Sequence, residues 1–175
     1  PMTNIQDIQN YEEFDFEKQC EIVRTSPFAE KGDLILRSQY PDQIIEEMGP
    51  ENFYIIARSG DRELLPELLA LATADQLLFF ADFLCFDNDR LSKKKFTEWI
   101  EQLLEASPEK FLDWADETDM DFLITGYKKV LRVIKAVPEE VMDEVLQDEE
   151  YFSLDFLYHI CIRKSDDFQT IKRSV

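Results

Sequence analysis

Five times along this chain a leading residue, often a cap or turn type, is followed, usually through a proline, by an acid and a run of apolar side chains. The instances begin at Tyr40-Pro41-Asp42, Gly49-Pro50-Glu51, Thr73-Ala74-Asp75, Ser107-Pro108-Glu109 and Val137-Pro138-Glu139. This is the chemistry of a helix start. Proline has no N–H to leave unpaired at the first helical position, and a carboxylate in the first turn meets the positive end of the helix dipole. A chain punctuated this way is a succession of short helices laid end to end. The starts are 9, 24, 34 and 30 residues apart, so any helical repeat is degenerate.

Between these starts the apolar periodicity predicts helices near 12–24, 27–37, 41–48, 50–59, 62–72, 74–86, 92–106, 108–116, 119–136 and 138–147. Phe96, Trp99, Ile100, Leu103 and Leu104 make an i, i+3, i+4, i+7, i+8 stripe, with Lys94, Glu98, Glu101 and Glu105 off it. Leu77, Leu78, Phe79, Phe80, Phe83, Leu84 and Phe86 leave their segment almost no polar face, which places that helix at the centre of the fold. The expected core is Phe80, Leu84, Phe96, Trp99, Ile100, Leu103, Leu123, Tyr127 and Leu131. Only four glycines in 175 residues are too few for the tight turns of a sandwich or barrel, and no glycine cluster could cradle a phosphate.

The C-terminal stretch has a different period. Phe152, Leu154, Phe156, Tyr158, Ile160 and Ile162 alternate with Ser153, Asp155, His159 and Arg163, which predicts a small β-hairpin near 151–163 with His159 exposed on its polar phase. Ser165, Asp166 and Asp167 then read as the cap of a short helix carrying Phe168, Ile171 and Val175. The expected fold is mainly all-α, a curved array of short antiparallel helices. A polar segment over 1–25 precedes a helical domain over 26–150, and 151–175 supplies the extended element and the start of a further helix. A two-stranded hairpin and a helix of two turns are each marginal in isolation, so both are expected to need neighbours, from a continuation of the chain or a homodimer through this segment.

Thirty-eight acids against nineteen bases give a formal charge of −19, which disfavours nucleic acid and anionic membrane surfaces as partners. No apolar run approaches the length of a membrane span. Cys20, Cys85 and Cys161 are odd in number, far apart and without a C-x-x-C spacing, as expected in a reducing, cytoplasmic setting. His159 is the only histidine, which leaves no two-His zinc site and no motif for a Ser-His or Cys-His pair.

Three clusters invite a functional reading. Asp87-Asn88-Asp89 with Glu98 at the twelfth position resembles a calcium loop, but Leu91 and Ser92 replace a ligand and the turn glycine, and Lys93, Lys94 and Lys95 would crowd the cation. That stretch is expected instead to lead into the helix over 92–106, capped by Ser92 or Asp89. Asp113, Asp116, Glu117, Asp119 and Asp121 place five carboxylates in nine residues, a candidate weak Mg²⁺ site, though the same pattern describes a helix end, a solvated loop and an acidic first turn. Lys128, Arg132 and Lys135 would share one face of a helix over 119–136 and could dock an acidic partner, or complement the helix dipole.

The segments from Gly32 to Ser38, Pro41 to Ile45, Pro50 to Tyr54, Leu68 to Ala72, Asp89 to Leu91 and Phe96 to Leu104 resemble, in order and spacing, an uncharacterised bacterial family known only as a domain of unknown function. The resemblance covers roughly 28–165. It implies that members are longer than this chain, which would then be an N-terminal fragment, and it supplies no activity, cofactor or catalytic residue. The repeated helix starts alone also resemble the acidic N-terminal domain of MgtE-type magnesium transporters and the related middle domain of the flagellar switch protein. That likeness implies a right-handed helical superhelix working by protein contact or by sensing Mg²⁺. The resulting expectation is a non-catalytic protein–protein interaction or scaffold domain without cofactors. The alternative is a divalent-cation-responsive regulatory domain.

Overall fold

The computed structural model describes residues 10–136, 149–163 and 168–175. The helix start at Val137, the helix expected over 138–147 and the cap at Ser165, Asp166 and Asp167 lie outside the described residues. A 3-10 turn at Tyr11–Glu13 leads into α1 (Phe16–Thr25), α2 (Phe28–Arg37), α3 (Pro41–Glu46) and α4 (Pro50–Ser59). A second 3-10 turn, Arg62–Leu64, precedes α5 (Leu65–Leu71) and α6 (Ala74–Leu84). Then come α7 (Lys93–Ala106), α8 (Pro108–Glu117), α9 (Met120–Val130) and, last, α10 (Phe168–Ser174). The fold is mainly α-helical with small antiparallel strand elements.

The punctuation read from the sequence is what starts these helices. Pro41, Pro50 and Pro108 each occupy the first position of their helix. Thr73 and Gln76 form a reciprocal cap, the Gln76 N–H donating to Thr73 Oγ1 at 3.3 Å and the Thr73 N–H to Gln76 Oε1 at 2.9 Å. Gln76 is fully buried, and its Nε2 donates to the carbonyls of Ile45 and Met48, both at 2.8 Å, which ties the start of α6 to the end of α3. Lysines close other helix ends, where carbonyls lack intrahelical partners and the dipole is negative. Lys31 Nζ donates to the Arg24 carbonyl and Lys110 Nζ to that of Ala72, each at 2.9 Å.

Packing follows a next-but-one rule: α2, α4, α6 and α8 contact one another in succession, as do α3, α5 and α7. Two rows of helices therefore enclose one core. Phe80 stacks on Trp99 with ring centroids 5.8 Å apart, and Trp99 meets Trp114 edge to face at 6.1 Å. Of the expected core, Phe80, Phe96, Trp99, Ile100 and Leu103 are buried, and Leu84, Leu123 and Tyr127 pack partly buried against them. Both indole N–H groups are buried without a partner, a cost of about 1–3 kcal/mol each that the surrounding aromatic packing must outweigh. Helix α6 departs from expectation. Leu77 and Phe80 face the core, but Phe83 is exposed beside Tyr54 and Phe79, because α6 is one member of a row and only its inner sides are covered.

Two further corrections concern strands. The residues expected to lead directly into α7 form a hairpin, β1 (Phe86–Asp87) paired with β2 (Arg90–Leu91). Asn88 and Asp89 both take positive φ, 47° and 60°, as a two-residue hairpin turn demands. Ser92 precedes α7 without a side-chain cap bond, and Asp89 belongs to the turn. The helix expected over 119–136 stops at Val130. Leu131 is extended, and β3 (Arg132–Lys135) follows. It joins β4 (Glu149–Phe152) and β5 (Tyr158–Arg163) in an antiparallel sheet of order β3-β5-β4, with Val133 opposite Ile160 and Phe152 opposite the same residue. The β-branched pair Val133 and Ile134 finds cross-strand neighbours there, which a helix continuing into solvent would not supply.

The C-terminal elements, expected to need neighbours, have some within the chain. Ile162 of β5, Ile171 of α10 and Val130 of α9 are buried together, with Leu131 and Phe152 packed against them. Leu131 thus belongs to this second cluster and not to the central core. Helix α10 lies on α7, and the Tyr127 hydroxyl donates to the Ser174 carbonyl at 3.2 Å. His159, expected to be exposed, is only 8% exposed because β5 is the middle strand, and Tyr151 stacks edge-on against it at 5.0 Å. No helix among the described residues is long and apolar enough to cross a membrane.

Candidate functional site

The carboxylates singled out in the sequence are exposed, and the bases do not share one helix face. Asp113, Asp116 and Glu117 lie exposed on α8, and Asp121 is exposed in the first turn of α9. Asp119 caps α9, its Oδ1 accepting from the N–H groups of Asp121 at 2.8 Å and Phe122 at 3.2 Å. Among the described residues no three His, Cys, Asp or Glu side chains are grouped so as to hold a metal ion. Lys128 lies in the last turn of α9, whereas Arg132 and Lys135 lie on β3. Their common helical face does not exist, because the helix that would have carried it ends at Val130. Three residues apart on a strand, Arg132 and Lys135 point to opposite faces.

Two other places in the molecule have features that packing alone does not explain. One is the turn joining β4 to β5. Leu154, Phe156 and Leu157 project from it at 66%, 88% and 63% exposure, next to the exposed Tyr158. The turn is held in place by its own polar side chains. The Phe156 N–H donates to Ser153 Oγ at 2.9 Å, the Leu157 and Tyr158 N–H groups donate to Asp155 Oδ1 at 2.9 and 3.1 Å, and the Ser153 hydroxyl donates to the Tyr158 carbonyl at 2.6 Å. Phe156 takes φ 60°, the left-handed region that a bulky residue adopts at a cost of about 1–3 kcal/mol. The alternating run in the sequence pointed to strands here, but alternation says nothing of the turn. The signal available was the Leu154-Asp155-Phe156-Leu157 composition, too apolar for a loop.

The other place is a cleft of about 360 Å³ between α1, α2, α3 and α4. Its apolar walls include Val23, Ile44 and Ile56, all buried, and its polar groups are Arg24, Lys31, Glu47 and Asn52. Lys31 is 9% exposed and its ammonium lies 4.6 Å from the centre of the Phe28 ring. Burial pulls its pKa below the ordinary lysine value. Half-buried Cys20 forms part of the wall, its thiol pushed up by burial and by the nearby Glu47. The sequence held a signal for Lys31 too: with Phe28 and Ile35 it completes an i, i+3, i+7 stripe, a charge set on the apolar face of α2.

Comparison with known proteins places the chain in one family. Residues 8–175 match the Family of unknown function (DUF6178), and the chain belongs to that family. No curated protein and no solved structure matches it.

Proposed function

We propose that this family member is a non-catalytic protein-interaction domain that inserts its β4–β5 turn into an apolar groove of a partner protein. The observation that carries the reading is the Leu154–Phe156–Leu157 turn, whose backbone donors are satisfied locally while three large apolar side chains face solvent. Apolar side chains kept outward on a fixed turn mark an interaction surface, and pre-organisation lowers the entropy lost on docking. A projecting wedge requires a concave receptor. Lys135, directly opposite Tyr158 in the sheet and exposed, favours a receptor rim that carries acids. The three cysteines are unpaired, which supports a reducing, cytoplasmic setting.

A photo-crosslinking amino acid placed at position 156, and separately at the exposed Leu112 on α8, tests this in the native cell. Position 156 should yield one discrete adduct with another protein, lost on adding Leu157→Ser, while position 112 yields none. Equal labelling at both positions, or none at 156, would overturn the reading. An adduct of twice the chain mass would replace the partner protein by a second copy of this chain.

A further inference from the structure

We infer that the cleft between α1 and α4 is a binding site for a small monocarboxylate with an apolar tail, whose carboxylate serves as the counter-ion of Lys31 and Arg24. The starting point is charge. The chain carries −19 overall, yet Lys31 is buried and forms no ion pair with any described residue. Lys95 and Lys110 also donate to backbone carbonyls, but both are more exposed, and Lys95 has Asp87 as its counter-ion. An ammonium has three N–H donors. One from Lys31 goes to the Arg24 carbonyl, which leaves donors for a ligand in the cleft it lines. Its ammonium, held by the Arg24 carbonyl and the Phe28 ring, lines the cleft without a counter-ion among the described residues, and an anion entering the cleft would supply one.

The remaining lining selects the kind of anion. Lys31 and Arg24 bring two positive charges and Glu47 one negative, so the cleft carries a net charge of about one and suits a monoanion better than a dianionic phosphate. Val23, Ile44 and Ile56 offer buried apolar surface for a tail, and 360 Å³ lies at the small end of ligand pockets. Asn52 could contribute a further donor or acceptor at the mouth. Such binding is independent of the β4–β5 turn.

The test is calorimetric and thermal titration of the 175-residue chain with hexanoate, hexanol, hexylamine and inorganic phosphate at constant ionic strength. Hexanoate should bind and raise Tm in a saturable way, hexanol and hexylamine should do neither, and phosphate should bind more weakly than hexanoate. Lys31→Met keeps the apolar stem and removes the charge, and should weaken hexanoate by about tenfold or more. Should that variant fail to fold, Arg24→Gln, at an exposed position, must give a clear loss instead. Bound hexanoate should also slow alkylation of Cys20 in the cleft wall, while Cys85, pushed up to about 12 by burial, stays unreactive throughout. No response to hexanoate, an equal response to hexanol or phosphate, or unchanged affinity in the variants would overturn the inference.

Discussion

Phe80 and Phe156 are the same side chain with opposite fates, and the two regions that hold them work by different rules. In the helical array Phe80 is fully buried between Phe53 and Trp99. Most helices there contact a neighbour two places along the chain, so the inward part of an apolar stripe at 3.6-residue spacing finds a facing surface. In the C-terminal sheet, three short strands meet the rest of the molecule through Ile162, Phe152 and the underlying Ile171 and Val130. The β4–β5 turn lies beyond that contact. Helix stacking covers the inward side of each stripe and leaves outer residues such as Phe83 exposed, whereas a short sheet covers only what lies over its packed face. Apolar side chains at the turn are then available for something else.

That contrast predicts graded effects. Trp99→Ala, in the middle of the array, should lower unfolding stability by about 3–5 kcal/mol in a urea titration. A cost under about 1 kcal/mol would show the array to be loosely packed. Gly126→Ala comes next. A Cβ there would lie 2.4 Å from the Phe96 ring, so overpacking should cost about 1–3 kcal/mol even though alanine favours helix. Thr73→Ala removes half of a reciprocal cap and should cost about 1 kcal/mol by the same measurement.

Phe156→Gly should have the opposite sign. It removes a strained φ and an exposed ring, and its net effect should be a gain of about 1 kcal/mol or less, since glycine also loosens the unfolded chain. Destabilisation comparable to Trp99→Ala would erase the difference between the two regions. The smallest effect belongs to the β1–β2 hairpin. The Lys95 ammonium beside Asp87, helped by Ser92, holds that carboxyl below its ordinary value of 3.8. The contact therefore adds stability above the unfolded pKa and loses it as pH falls through the lower folded value. Both partners are largely exposed, so Asp87→Asn should flatten the acid limb of the urea midpoint only slightly, visible below roughly pH 4.

Legibility tracked the range of the interaction responsible. The boundaries at Pro41, Pro50, Ala74 and Pro108 were readable because caps and first turns are settled within four residues of sequence. The Phe96 to Leu104 stripe was readable because one helix face is a local periodicity. The hairpin after α6 was missed although Asn88-Asp89 is acceptable turn chemistry, because the following lysines and Ser92 read equally well as a helix start. The proposed interaction turn and the cleft at Lys31 were missed for another reason. Exposure at Phe156 and burial at Lys31 are properties of what lies around them, not of the residues themselves.

By itself, then, the amino-acid order determined a mainly helical chain, where most of its helices begin, which sides of them are apolar, and that the segment near 151–163 is extended. Tertiary structure decided the fate of 131–136, where Val133 and Ile134 gain strand partners from residues about 25 positions later, an energy no local window contains. It decided that His159 is buried, since a strand's place in the sheet depends on the order in which distant strands pair. It also decided which charges are exposed. Asp113 to Asp121 remain in water, where their hydration is kept, while Lys31 is enclosed by helices whose packing outweighs its desolvation.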